Sequence, residues 1–131
     1  MKAKTTFSIL GAIHIAIGLA LAGMAANADE ALKQWIDGPI EADIMQLIVG
    51  QLRVVTVHSV GAGLIMLMAR GMTSTADARR VLKGHCLFCG LVLLNAGHGA
   101  LFATAPPIPV IVMCIVGFGL AACGSAKAEV G

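Results

Sequence analysis

The chain has 131 residues, 58% of them hydrophobic and 12% charged, with a mean hydropathy of +0.90. A soluble domain carries about twice that charged fraction, so the composition excludes an ordinary water-soluble fold and leaves room for about four membrane spans in one domain. A formal net charge of +2 gives no reason to expect nucleic acid as a partner.

Residues 6–26 form an uninterrupted apolar run behind Lys2 and Lys4, long enough to cross a bilayer as a helix. The basic start and Ala26-Asn27-Ala28 before Asp29 also fit a secretory signal peptide with an A-x-A cleavage site. The length of the run, and His14 within it, favour a retained first span. Both readings put Asp29 on the outer side. The loop 27–43 is acidic, with Asp29, Glu30, Asp37, Glu41 and Asp43 against Lys33. Residues 29–36 are expected to form a short surface helix with Trp35 at headgroup depth, ended by Gly38-Pro39. Glu41 and Asp43 suit the positive end of the helix dipole that follows.

A second span is expected over 44–69. It is long, so its first turns lie at the outer interface or the helix tilts. The loop 70–83 holds Arg70, Arg79, Arg80 and Lys83 against Asp77, with Thr73, Ser74 or Thr75 placed to cap a helical turn from Ala76. The third span covers 84–104, a proline-rich connection 105–109 follows because proline cannot continue a helix interior, and the fourth span covers 108–124. Lys127 and Glu129 lie in the tail. Seven of the nine basic residues thus fall at the N-terminus, in the 70–83 loop and in the tail, which the positive-inside rule assigns to the cytoplasm. The expectation is an all-α integral membrane protein, an antiparallel four-helix bundle running up-down-up-down. Both termini are cytoplasmic, and a bacterial inner membrane is the expected location.

Inside lipid, helices associate through close contact of small residues. Such stripes occur in every span: Ala12, Ala16 and Ala20, with Gly18, Ala22 and Ala26 beside them; Ser59 and Gly63; Ala96 and Ala100; Gly117 and Ala121. They serve either the bundle itself or contacts with other subunits.

All four histidines fall in the spans. At about 1.5 Å per residue, His14 lies roughly 15 Å from Lys4, His58 roughly 18 Å from Arg70 and His98 roughly 22 Å from Lys83. Three imidazoles from three helices at similar depth suit haem b or a metal ion. With Gln51, Arg53 and Asn95 they would also suit a polar path. The plainer alternative is that each histidine bonds a backbone carbonyl or a hydroxyl of a neighbouring helix. His85 stands apart, at the cytoplasmic edge beside Lys83. With Cys86 and Cys89 of the same span, and Cys123 of the fourth, it makes a soft metal-ligand set. Met66, Met68 and Met72 lie at the same end. Cysteine is also an ordinary small apolar residue in a helix.

No P-loop, dinucleotide fingerprint, H-E-x-x-H or G-x-S-x-G occurs, so enzymatic chemistry is not the expectation. The leading one is a small accessory subunit of a larger membrane assembly, or a homo-oligomer, in contact with lipid and other membrane subunits. The alternatives are a haem- or metal-binding electron-transfer protein and a small channel. A dithionite-reduced minus oxidised spectrum separates them. Haem on these histidines gives a sharp reduced band that His58→Ala abolishes, whereas the other readings give a flat spectrum.

Overall fold

The computed structural model describes residues 2–33, 38–101 and 108–130. Helix makes up 87% of them, and no strand occurs among them, as the all-α expectation requires. The elements are α1 (Ala3–Ala26), α2 (Ala28–Leu32), α3 (Ala42–Ala69), α4 (Thr75–Leu101) and α5 (Ile108–Lys127). Two of them, α1 and α3, are long and apolar enough to cross a membrane, and α5 contains a shorter apolar stretch, Ile111–Lys127. Trp35 and most of the proline connection 105–109 lie outside the described residues.

Local chemistry explains the helix ends. Asn27 closes α1, its backbone N–H and its side-chain Nδ2 both donating to the Gly23 carbonyl. Its own carbonyl accepts from Glu30 and Ala31 and so opens α2. Gly38 turns the chain at φ +98, which a residue with a Cβ rarely adopts. Asp43 sits in the first turn of α3. Ser74 opens α4, its Oγ accepting from the Asp77 N–H at 3.3 Å in the usual N-cap manner.

The helical turn expected from Ala76 and the apolar segment expected from 84 are one continuous helix, which begins at Thr75. Arg79, Arg80 and Lys83 end an apolar run, but they are good helix formers and break nothing. The basic segment is therefore the first two turns of α4. Arg80 pairs with Asp77 at 3.1 Å, and the Arg79 Nε donates to the Ala128 carbonyl at 2.9 Å.

Two antiparallel pairs make the bundle. The start of α1 (Ala3, Phe7) shares a core with the end of α3 (Met66, Ala69), and the start of α4 (Ala78, Leu82) shares it with Ala121 and Ala128. Helix α1 joins the pairs, touching α5 and, over a shorter length, α4. The C-terminal tail ties the same end together. The Ala3 N–H donates to the Glu129 carbonyl at 2.9 Å, satisfying a first-turn donor that α1 itself leaves without a partner, and the Val130 N–H donates to Thr75 Oγ1.

The buried positions follow a seven-residue spacing. In α1 they include Ala3, Phe7, Leu10, His14, Ile17 and Leu21; in α4 Ala78, Leu82, His85 and Cys89; along α5 and just beyond it Gly117, Ala121, Gly124 and Ala128. Alternating steps of four and three keep one seam facing its neighbours. Away from the core the surface is apolar, with Met68 81% and Leu94 72% exposed. Of the small stripes, Gly18 is buried in α1, whereas Ala12, Ala16 and Ala20 face outward.

The backbones of α1 and α3 approach each other closely at their glycines. A Cβ on Gly11 would lie 2.7 Å from Leu67 Cγ and 3.0 Å from the Gly63 carbonyl; one on Gly63 would lie 2.8 Å from the Gly11 carbonyl. Farther along, Gly18 faces Val60 and the Thr56 carbonyl in the same way. Because backbone stands opposite, the crossing cannot relax by moving a side chain alone. Gly63→Val should therefore cost about 1–3 kcal/mol, the range for overpacking, read as a lower SDS midpoint in an unfolding titration. Gly61→Ala, with nothing within 4 Å of the added atom, should lose no stability.

Candidate metal centre

The two helix pairs meet at a buried polar contact. His14 on α1 is 7% exposed, His85 on α4 is 6% exposed and Cys89 on α4 is 2% exposed. The Nε2 atoms of His14 and His85 are 3.0 Å apart, and Cys89 Sγ lies 3.5 Å from His85 Nε2. Ligand atoms of the three side chains all lie within 4.8 Å of one another. His85 and Cys89 are four residues apart, so they share a helix face. His14 occupies the equivalent seam position on the opposing helix.

The depths agree because both helices start at the same end. His14 is eleven residues into α1 and His85 ten residues into α4, about 16 Å and 15 Å at the helical rise. Measured from the helix start at Thr75, His85 matches His14 in distance along the bundle, whereas its place beside Lys83 sets it apart in the sequence. The available signal was the i, i+4 spacing of His85 and Cys89.

The surroundings are apolar. The imidazole rings meet edge to face at 4.8 Å between centroids, and Phe88 lies about 6 Å from both, at 6.1 and 6.0 Å. Gly117 of α5 brings its backbone against the thiol, a Cβ there standing 3.7 Å from Cys89 Sγ and 3.9 Å from Leu10. Among the described residues, the only other buried polar side chain is Thr6, and no buried side-chain nitrogen or oxygen lacks a hydrogen-bond partner. In the Nε2–Nε2 bond one imidazole donates and the other accepts, so the pair holds opposite tautomers.

The remaining sequence candidates lie elsewhere. His58 is exposed on α3, its Nδ1 2.8 Å from the Val54 carbonyl one turn back on the same helix, rather than bonded to a neighbouring helix. His98 and Asn95 are exposed on α4, and Gln51 and Arg53 on α3. Arg53 borders a shallow cleft with Ala22, Ala26 and Thr56. Cys86 and Cys114 are half-buried and Cys123 is exposed. Met66 belongs to the core and Met68 faces outward. Thus one residue of the expected mid-membrane set, His14, joins two of the expected soft set, His85 and Cys89.

Chemically, the trio presents two imidazole nitrogens and one sulfur converging from two helices. Metal bonds of about 2.0 Å to nitrogen and 2.3 Å to sulfur set ligand–ligand edges of roughly 3.3–3.8 Å. The His85–Cys89 edge, at 3.5 Å, already has that length, the His14–His85 edge, at 3.0 Å, is slightly short, and the remaining edge lies within 4.8 Å. Axial ligation on opposite sides of a haem needs nitrogens about 4 Å apart at the same bond length, so the 3.0 Å pair suits a single ion rather than a macrocycle between the rings. Comparison with known proteins adds no constraint: the chain matches no family model, no curated protein and no solved structure.

The imidazole pair should couple energetically. His14→Leu strands a buried ring nitrogen of His85 and should cost about 1–3 kcal/mol. His85→Leu should cost a similar amount. The double variant should cost clearly less than the sum, a coupling that a double-mutant cycle in SDS unfolding measures.

Proposed function

We propose that this protein is a helical membrane protein that binds one transition-metal ion inside the bundle through His14, His85 and Cys89. The observation that carries the reading is the convergence of three buried ligand atoms from two helices within 4.8 Å. Ionisable side chains in a bilayer are costly and tend to serve a function, and N and S donors select d-block ions over Mg²⁺ or Ca²⁺.

In this reading α1, α3, α4 and α5 are the four spans, running up-down-up-down. The end bearing Lys2, Arg70, Arg79, Arg80, Lys83 and Lys127 is cytoplasmic, and the membrane is a bacterial inner membrane. The bond between Ala3 and Glu129 supports it by holding both chain ends beside the basic start of α4. The metal joins the two helix pairs at the contact where only α1 and α4 supply polar groups.

An accessory role in a larger assembly is a second reading, favoured by the outward stripe Ala12, Ala16 and Ala20 on α1, which offers another helix a close approach. The two readings are compatible, since a metal-bearing bundle can also be a subunit.

Metal analysis of the purified chain, after loading and removal of loose ions, tests the first reading. One ion per chain is expected, and less than a tenth of that in His85→Ala. His58→Ala and Cys123→Ser should bind as the parent does. Equal metal content in the parent and His85→Ala would overturn it.

A further inference from the structure

We infer that the ion taken by this site is monovalent copper, in a three-coordinate complex with His14 Nε2, His85 Nε2 and Cys89 Sγ. The inference rests on the metal-binding reading above and adds the identity and charge of the ion.

Charge balance carries the argument. Among the described residues the buried polar side chains are Thr6, His14 and His85, and no buried carboxylate, lysine or arginine accompanies them. Cysteine binds metals as thiolate, so the ligand set supplies one negative charge and two neutral imidazoles. A monovalent ion makes that complex neutral. A divalent ion leaves a net positive charge in an apolar interior with no counter-charge to offset it, and isolated charge there is strongly disfavoured. Softness narrows the field to Cu(I) and Zn(II), which thiolate and imidazole both accept, and charge then separates the two.

Ligand number agrees. Three donors suit a trigonal d¹⁰ ion, whereas structural Zn²⁺ takes four ligands and catalytic Zn²⁺ takes a water in the fourth position. The neighbours here are Phe88, about 6 Å from the rings at 6.1 and 6.0 Å, and the Gly117 backbone with Leu10. None of these side chains is a donor for a bound water. Binding is an exchange without redox change: the Cys89 S–H bond breaks, the S–Cu bond forms, and one proton leaves to solvent per Cu(I) bound.

The test is anaerobic titration of the full-length protein in detergent with Cu(I) supplied as its acetonitrile complex, against a chromophoric Cu(I) chelator. Parallel titrations use Ag(I), Zn(II) and Co(II). One Cu(I) or one Ag(I) per chain is expected, and a hundredfold excess of Zn(II) should not displace the copper. Cys89→Ser, nearly isosteric, should weaken Cu(I) binding at least a hundredfold, while Cys86→Ser should leave it unchanged. X-ray absorption should show two nitrogens and one sulfur. Circular dichroism and size-exclusion profiles matching the parent show that each variant has folded.

Tighter Zn(II) or Co(II) binding, with Co(II)–thiolate absorption lost in Cys89→Ser, overturns the copper assignment and leaves the metal site standing. Copper binding that survives in both His14→Ala and Cys89→Ser overturns this site in favour of other thiols. No binding of any of the four ions overturns the metal reading itself.

Discussion

An imidazole buried in an apolar bundle must find a polar partner, and that requirement sets the register between the two helix pairs. His14 has none on its own helix, and His85 meets it from α4 at 3.0 Å. Small shifts of α4 along α1 would break the bond and leave two buried nitrogens unsatisfied, at a cost of about 1–3 kcal/mol each. Apolar contacts between α1 and α4 are short and tolerate sliding; the polar contact does not. The glycine crossing of α1 on α3 plays the complementary part within one pair, fixing separation where the histidines fix depth.

The consequences run outward from that contact. The same register puts Ala3, Ala78 and Ala128 into one core at the basic end. It lets the tail donate and accept across the starts of α1 and α4. It also places Cys89 one turn beyond His85 and against the small Gly117. A stability requirement thereby assembles a set of metal donors. The histidine pair accounts for its own burial without an ion, and the adjacent thiol is what turns it into a ligand set.

Fold class was legible because it depends on local properties. Long apolar runs, caps such as Ser74 and dipole-compatible acids such as Asp43 require only sequence neighbours. The continuity of α4 was not legible because hydropathy marks where a helix enters an apolar medium, whereas α-helical hydrogen bonding continues through Arg79, Arg80 and Lys83. The stripe Ala12, Ala16, Ala20 was as conspicuous as Gly18 with Ala22. Only one face of α1 turns toward α3, and small residues do not say which.

The sequence by itself therefore determined an all-helical, strongly apolar chain with seven of its nine basic residues gathered into three segments. It also marked His14, His85 and Cys89 as donors, although in separate groups. Tertiary structure decided which donors meet. Depth along a helix follows from where that helix begins, and facing follows from rotation about its axis against a neighbour. Both are relations between segments 71 residues apart. The choice of His14 with His85, and the exclusion of His58 and His98 from that contact, therefore depended on how α1 seats between its neighbours.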